Sequence, residues 1–61
     1  MTDPILRLPA VLARTGLGRS TLYAMMQRGD FVLPIRLGTR AVGWRQSELD
    51  AWLSARPRTN T

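Results

Sequence analysis

Sixty-one residues make room for one small domain, and a chain of this size buries only about 60% of the surface its unfolded form exposes. Cysteine and histidine are both absent, which excludes disulfide staples, thiolate or imidazole metal sites and the commonest general base. Nine basic residues against four acidic ones leave a net charge of +5, an excess that points to an anionic partner, most simply nucleic acid.

Every basic residue is arginine. Either planar, bidentate contacts with phosphate and guanine favour it, or the codons of a GC-rich genome do. Apolar runs are only a few residues long, so neither a transmembrane helix nor a signal-peptide core is expected, and the chain reads as cytoplasmic.

Met1 to Pro4 reads as a flexible lead, and Ile5 to Leu8 as a brief extended segment feeding the first helix. Pro9 suits a first helical turn, where its missing N–H is no loss. Helix one is predicted over Pro9 to Arg14, with Leu8, Val11 and Leu12 on one face and no hydroxyl N-cap. Thr15-Gly16 ends it, Gly16 being suited to a left-handed C′ position. Gly18 is a passable N-cap for helix two, predicted over Arg19 to Arg28 and ended by Gly29. Its buried stripe is Leu22, Met25 and Met26; Ser20, Ala24 and Gln27, with Tyr23 on the margin, form the opposite one.

Phe31, Val32 and Leu33 form an apolar cluster before Pro34. Ile35-Arg36-Leu37 alternates with period two and Ala41 to Arg45 resumes it, which predicts a β-hairpin with Gly38 at its tip. Gln46 to Leu53 is helical again. Glu48 and Asp50 lie in its first turns, where the dipole favours negative charge, and Leu49, Trp52 and Leu53 form a face expected to pack on helix one. Pro57 stops this helix, and Arg58 to Thr61 reads as a frayed tail. The predicted fold class is mainly α with a β-hairpin, a winged helix-turn-helix of order α-α-β-β-α within one domain whose ordered core spans about residues 6–56. The predicted core is Leu8, Val11, Leu12, Leu22, Met26, Trp44, Leu49, Trp52 and Leu53.

Two short helices joined by a glycine-containing turn, the second opening Arg19-Ser20-Thr21, match the pattern of a recognition helix entering the major groove. The candidate DNA-contacting residues on it are Arg19, Ser20, Thr21, Tyr23, Ala24, Gln27 and Arg28. Gln27 is suited to adenine, Ser20 to several bases and Ala24 to a thymine methyl. The plain alternative is an ordinary solvent-facing surface, with Tyr23 partly in the core and Thr21 capping or packing locally. Arg36, Thr39 and Arg40 bracket the hairpin tip, where an arginine can enter a minor groove or simply keep a sheet edge from aggregating. Arg45 occupies the N-cap position of helix three, where it is a poor capper; it reads as a phosphate contact or as a partner for Glu48. Trp44 and Trp52 read as core, base stacking being the alternative if they are exposed. Met25 and Met26 read as gap-filling core.

The four carboxylates Asp3, Asp30, Glu48 and Asp50 form no acid–base pair, and no phosphate-binding glycine loop or nucleophile–base set can be built. The chain reads as a non-enzyme, and no cofactor or metal is implied.

The blocks Leu8-Pro9-Ala10-Val11 and Thr15-Gly16-Leu17-Gly18-Arg19-Ser20-Thr21-Leu22-Tyr23 resemble the AlpA family of prophage regulators, an excisionase-like, MerR-related winged-helix group. So do Phe31 to Leu37, Arg40-Ala41-Val42-Gly43-Trp44-Arg45 and Ser47 to Leu53. The family usually has Ser where Gly18 stands and often a basic residue where Ala24 and Gln27 stand. The resemblance implies a double-stranded-DNA-binding regulator of a phage, prophage or integrative element, acting as a transcription activator, as a recombination directionality factor, or as both. Expected partners are DNA, further copies on adjacent sites and an integrase, with no membrane. The competing readings are a module docking an acidic protein such as an integrase, and the DNA-recognition part of a packaging complex.

Overall fold

The structure, a computed structural model, describes residues 2–58; Met1 of the expected lead and Thr59 to Thr61 of the expected tail lie outside them. In chain order the elements are β1 (Ile5–Leu6), α1 (Leu8–Thr15), α2 (Arg19–Arg28), β2 (Ile35–Arg36), β3 (Val42–Arg45) and α3 (Gln46–Ser54). This is the winged helix-turn-helix expected, with one strand added. β3 is central in an antiparallel sheet of order β1-β3-β2. It pairs Ile5 with Arg45 and Leu6 with Trp44 on one side, and Ile35 with Gly43 and Arg36 with Val42 on the other.

The turn between α1 and α2 is closed by backbone and side chain together. Gly16 sits at φ 73°, and its N–H donates to the Leu12 carbonyl at 2.8 Å, a left-handed cap that a Cβ would strain. The Thr15 hydroxyl donates to the Val11 carbonyl at 2.9 Å and accepts the Leu17 N–H at 3.2 Å. Leu17 is thereby turned inward, half-buried against the core. α2 ends in a full Schellman motif at Gly29, φ 80°. The Asp30 N–H donates to Met25 at 2.8 Å and the Gly29 N–H to Met26 at 3.1 Å, which satisfies carbonyls the helix end leaves open.

Val11, Leu22, Phe31, Trp44 and Leu49 are buried, and Leu8, Leu12, Met26, Trp52 and Leu53 pack half-buried around them. All nine expected core residues therefore face the core, but its aromatic centre is Phe31, in the segment between α2 and β2 that belongs to no periodic element. The Phe31 ring meets Trp52 edge-on at 4.6 Å between centroids and Trp44 at 6.4 Å, within the range of favourable aromatic pairs. Each indole N–H finds a carbonyl next to it: Trp44 donates to Val32 at 2.9 Å and Trp52 to Asp30 at 3.1 Å. Trp52, expected to face α1, thus packs on the segment that follows α2. At the surface α1 and α3 are also joined by an ion pair from Arg14 to Asp50 at 2.6 Å.

The lead is not free. The Asp3 carboxylate accepts the Ser47 N–H at 2.9 Å and the Ser47 hydroxyl at 2.8 Å, and the Pro4 carbonyl accepts the Gln46 N–H at 2.9 Å. No local side chain caps α3, so Asp3 supplies the cap from 44 positions away. These bonds hold the Asp3 carboxyl below the usual aspartate range, with a smaller contribution from the Arg45 charge.

Candidate nucleic-acid interface

α2 buries Leu22 and half-buries Met25 and Met26, so its opposite face is outward by geometry. Arg19, Ser20, Thr21, Tyr23, Ala24, Gln27 and Arg28 are all exposed. At a turn of 100° per residue, Ser20, Ala24 and Gln27 form one strip opposite the buried stripe, with Tyr23 on its margin. Tyr23 is 44% exposed, which puts it on this surface rather than in the core. Gly18 holds the extended N-cap conformation but offers no side chain to cap the helix. Thr21 does not cap it either, and the positive end of α2 meets solvent.

The hairpin brings a second set of candidates to the surface. The Leu37 and Gly38 N–H groups both donate to the Ala41 carbonyl, at 2.7 and 3.2 Å, leaving Gly38-Thr39-Arg40 as the tip. Arg36, Thr39, Arg40 and Arg45 are exposed. Gly38 at the tip has ordinary backbone and open space where a Cβ would go; the demanding glycine is Gly43. A Cβ there would lie 2.5 Å from Ile5 Cγ2 and 3.1 Å from both Leu37 Cδ1 and the Leu6 carbonyl, so its absence lets β1 and the Leu37 side chain close over β3.

Charge is segregated along this surface. No carboxylate occurs between Pro4 and Gly29, or between Phe31 and Ser47. Among the described residues the ion pairs are Arg14–Asp50 and Arg28–Asp30, so Arg19, Arg36, Arg40 and Arg45 carry charges that no described carboxylate pairs. The Arg45–Glu48 pair weighed from sequence does not form; the carboxylate whose titration Arg45 influences is Asp3. Trp44 is 1% exposed and cannot stack on a base. The Trp52 ring is covered by the Phe31 edge and by the Arg56 guanidinium, 4.4 Å from its centroid.

Two participants escaped sequence reasoning. Thr15 shapes the turn that aims α2, and its signal was a hydroxyl two residues before an apolar turn residue. Asp30 stands at the outlet of α2 against Arg28, at 3.1 Å; its signal was the only carboxylate in the middle of a basic chain. Among the described residues there is no metal-binding cluster of acidic side chains, and no helix is long and apolar enough to cross a membrane.

Comparison with known proteins bears on this arrangement. Residues 4–57 match the family described as Prophage CP4-57 regulatory protein (AlpA). The DNA-binding transcriptional activator AlpA of Escherichia coli strain K12 is 45% identical over 58 residues, which covers 85% of this chain and 83% of that protein. An uncharacterized protein, ORF88, of Enterobacteria phage P4 is 41% identical over 54 residues, covering 88% of this chain and 61% of its own. No solved structure matches. With a family match over nearly its whole length, the chain belongs to the AlpA family of prophage regulatory proteins.

Proposed function

We propose that this protein is a sequence-specific double-stranded-DNA-binding regulator of a phage, prophage or integrative element. α2 enters the major groove, and the hairpin tip holds the adjacent minor groove or backbone. The observation that carries this reading is the carboxylate-free outer strip of α2 together with the unpaired arginines of the hairpin. The Escherichia coli relative, named a DNA-binding transcriptional activator, supports the same partner and favours control of transcription.

In this reading Arg19 and the open N-terminus of α2 bind phosphate, and Ser20, Ala24 and Gln27 read base edges, with Tyr23 and Thr21 flanking them. Arg36, Thr39 and Arg40 form the wing contact, and Arg45 binds backbone. One module of this size covers only about 600–1,000 Å² of interface. Discrimination therefore requires several copies side by side on repeated sites, and the same array beside an attachment site would serve excision control together with an integrase.

The test is a fluorescence-anisotropy titration with duplex DNA from the protein's own upstream region, repeated across salt concentrations. Wild type should bind with a steep salt dependence, and Arg40→Ala should lower the slope of log K against log salt by roughly one. An unchanged slope removes the wing from the mechanism. Failure to bind the duplex, with tight binding to an acidic protein partner instead, overturns the reading.

A further inference from the structure

Arg28 is the last residue of α2 and lies beside the outward strip, with one edge of its guanidinium turned to a carboxylate: Nε donates to Asp30 Oδ2 at 3.1 Å. Asp30 is the only carboxylate between Pro4 and Ser47. Its backbone is pinned on both sides, the N–H to the Met25 carbonyl at 2.8 Å and the carbonyl to the Trp52 indole at 3.1 Å. The carboxylate is therefore held at the end of the helix rather than swinging on a loop. It is also held where the helix dipole disfavours negative charge, and an exposed pair with Arg28 contributes little to stability. Local stability is a poor reason for an acid at this position.

We infer that Asp30 is an affinity-limiting residue, an internal counter-charge at the end of α2 that lowers binding to DNA of any sequence without touching base readout. This rests on the reading that α2 faces DNA. An arginine whose charge is partly offset within the protein gains less from replacing a counterion on the duplex, and a neighbouring carboxylate repels phosphate. Arg28 therefore adds less to backbone affinity than an arginine count implies. Gln27, Ala24 and Ser20 read bases independently of this pair, so affinity for every duplex falls while the ratio of specific to non-specific binding is kept.

The experiment compares Asp30→Asn with wild type on the upstream duplex and on a random duplex across salt. Glu48→Gln, the same charge change on exposed α3, is the control. Asp30→Asn should bind both duplexes more tightly by the same factor and steepen the slope by at most about 0.9. At that limit the gain over wild type shrinks roughly 3.5-fold between about 50 and 200 mM salt. Arg28→Ala should lower the slope less in the wild-type background than in the Asp30→Asn background, where it abolishes the gain. Thermal unfolding of each variant checks that the fold is intact, and because only exposed side-chain atoms change, it should be.

Equal slopes for Asp30→Asn and Glu48→Gln would reduce the effect to net charge and overturn the inference. So would no change in Asp30→Asn while Arg19→Ala still weakens binding, which leaves α2 on the DNA. If neither Arg19→Ala nor Asp30→Asn alters binding, the placement of α2 falls, and this inference falls with it.

Discussion

Replacing Phe31 by leucine isolates the contribution of the aromatic centre. The side chain is 5% exposed and presents its ring to Trp52 at 4.6 Å and to Trp44 at 6.4 Å. Leucine retains most of the apolar bulk but loses both edge-on pairs, each worth about 0.5–1.5 kcal/mol beyond area burial, for a total of about 1–3 kcal/mol. At about 0.05–0.15 kcal/mol per residue, a chain of 61 residues has only about 3–9 kcal/mol to lose. In a domain of this size the loss corresponds to a drop in unfolding midpoint on the order of 10 °C. Phe31→Ala, at about 3–5 kcal/mol, should remove most of the folded population.

Thermal unfolding followed by far-ultraviolet circular dichroism gives the midpoint, and tryptophan emission reports whether Trp44 and Trp52 become wet in the same transition. Because Phe31 lies two residues beyond the Gly29 cap, the same packing holds the exit of α2 in place. The leucine variant should bind DNA normally at temperatures well below its own midpoint and lose binding together with helicity. An unchanged midpoint for Phe31→Leu would refute the claim that the aromatic pairs support this core.

Gly43→Ala should destabilise by about 1–3 kcal/mol through overpacking, since its Cβ would meet Ile5 and the Leu6 carbonyl. Ile5→Ala should restore part of the loss, and strict additivity in urea unfolding would disprove the close approach. Asp3→Asn tests the distant cap through pH. The folded carboxyl is held below its ordinary value by Ser47, so the stability it contributes is complete above the ordinary aspartate value of about 4 and is lost as pH falls through the lower folded value. Wild type should exceed the variant at neutral pH, with the gap closing under acid; a gap independent of pH counts against the cap. Gln27→Ala should relax preference at about one base pair by ~1–3 kcal/mol on single-base operator variants. A loss spread evenly over all variants would assign Gln27 to the backbone.

Much of this fold was legible because its signals are local. Leu22, Met25 and Met26 define the buried side of α2 by spacing alone, and with it the outward strip. Gly16 and Gly29 mark helix ends because a left-handed residue without a Cβ is the cheapest way to close a helix, and both take that conformation. The alternation around Gly38 announces a hairpin because strand side chains reverse face at every residue. These periodicities set the order of elements, and the arginine excess sets the sign of the surface.

The remainder required contacts that periodicity cannot carry. A two-residue strand has no period, so Ile5–Leu6 became a strand only when β3 lay beside it. Asp3 reads as lead until the N-terminus of α3 arrives next to it, and Phe31 reads as loop until two indoles converge on its ring. Gly43 looked like one residue of an alternating strand, and only the closure of β1 over it shows why a side chain is missing there. Arg28 and Asp30 were visible as opposite charges, but which of them the other restrains, and on which surface, depends on where α2 ends and how Trp52 pins the chain behind it. Sequence alone determined which segments are helical, that Gly16 and Gly29 end the first two and that the surface is basic, because those are properties of neighbours in the chain; α3 ends at Ser54, ahead of the Pro57 stop expected. Tertiary structure decided the caps, the aromatic centre and the pairing of charges, because each joins groups whose separation in sequence is unrelated to their separation in space.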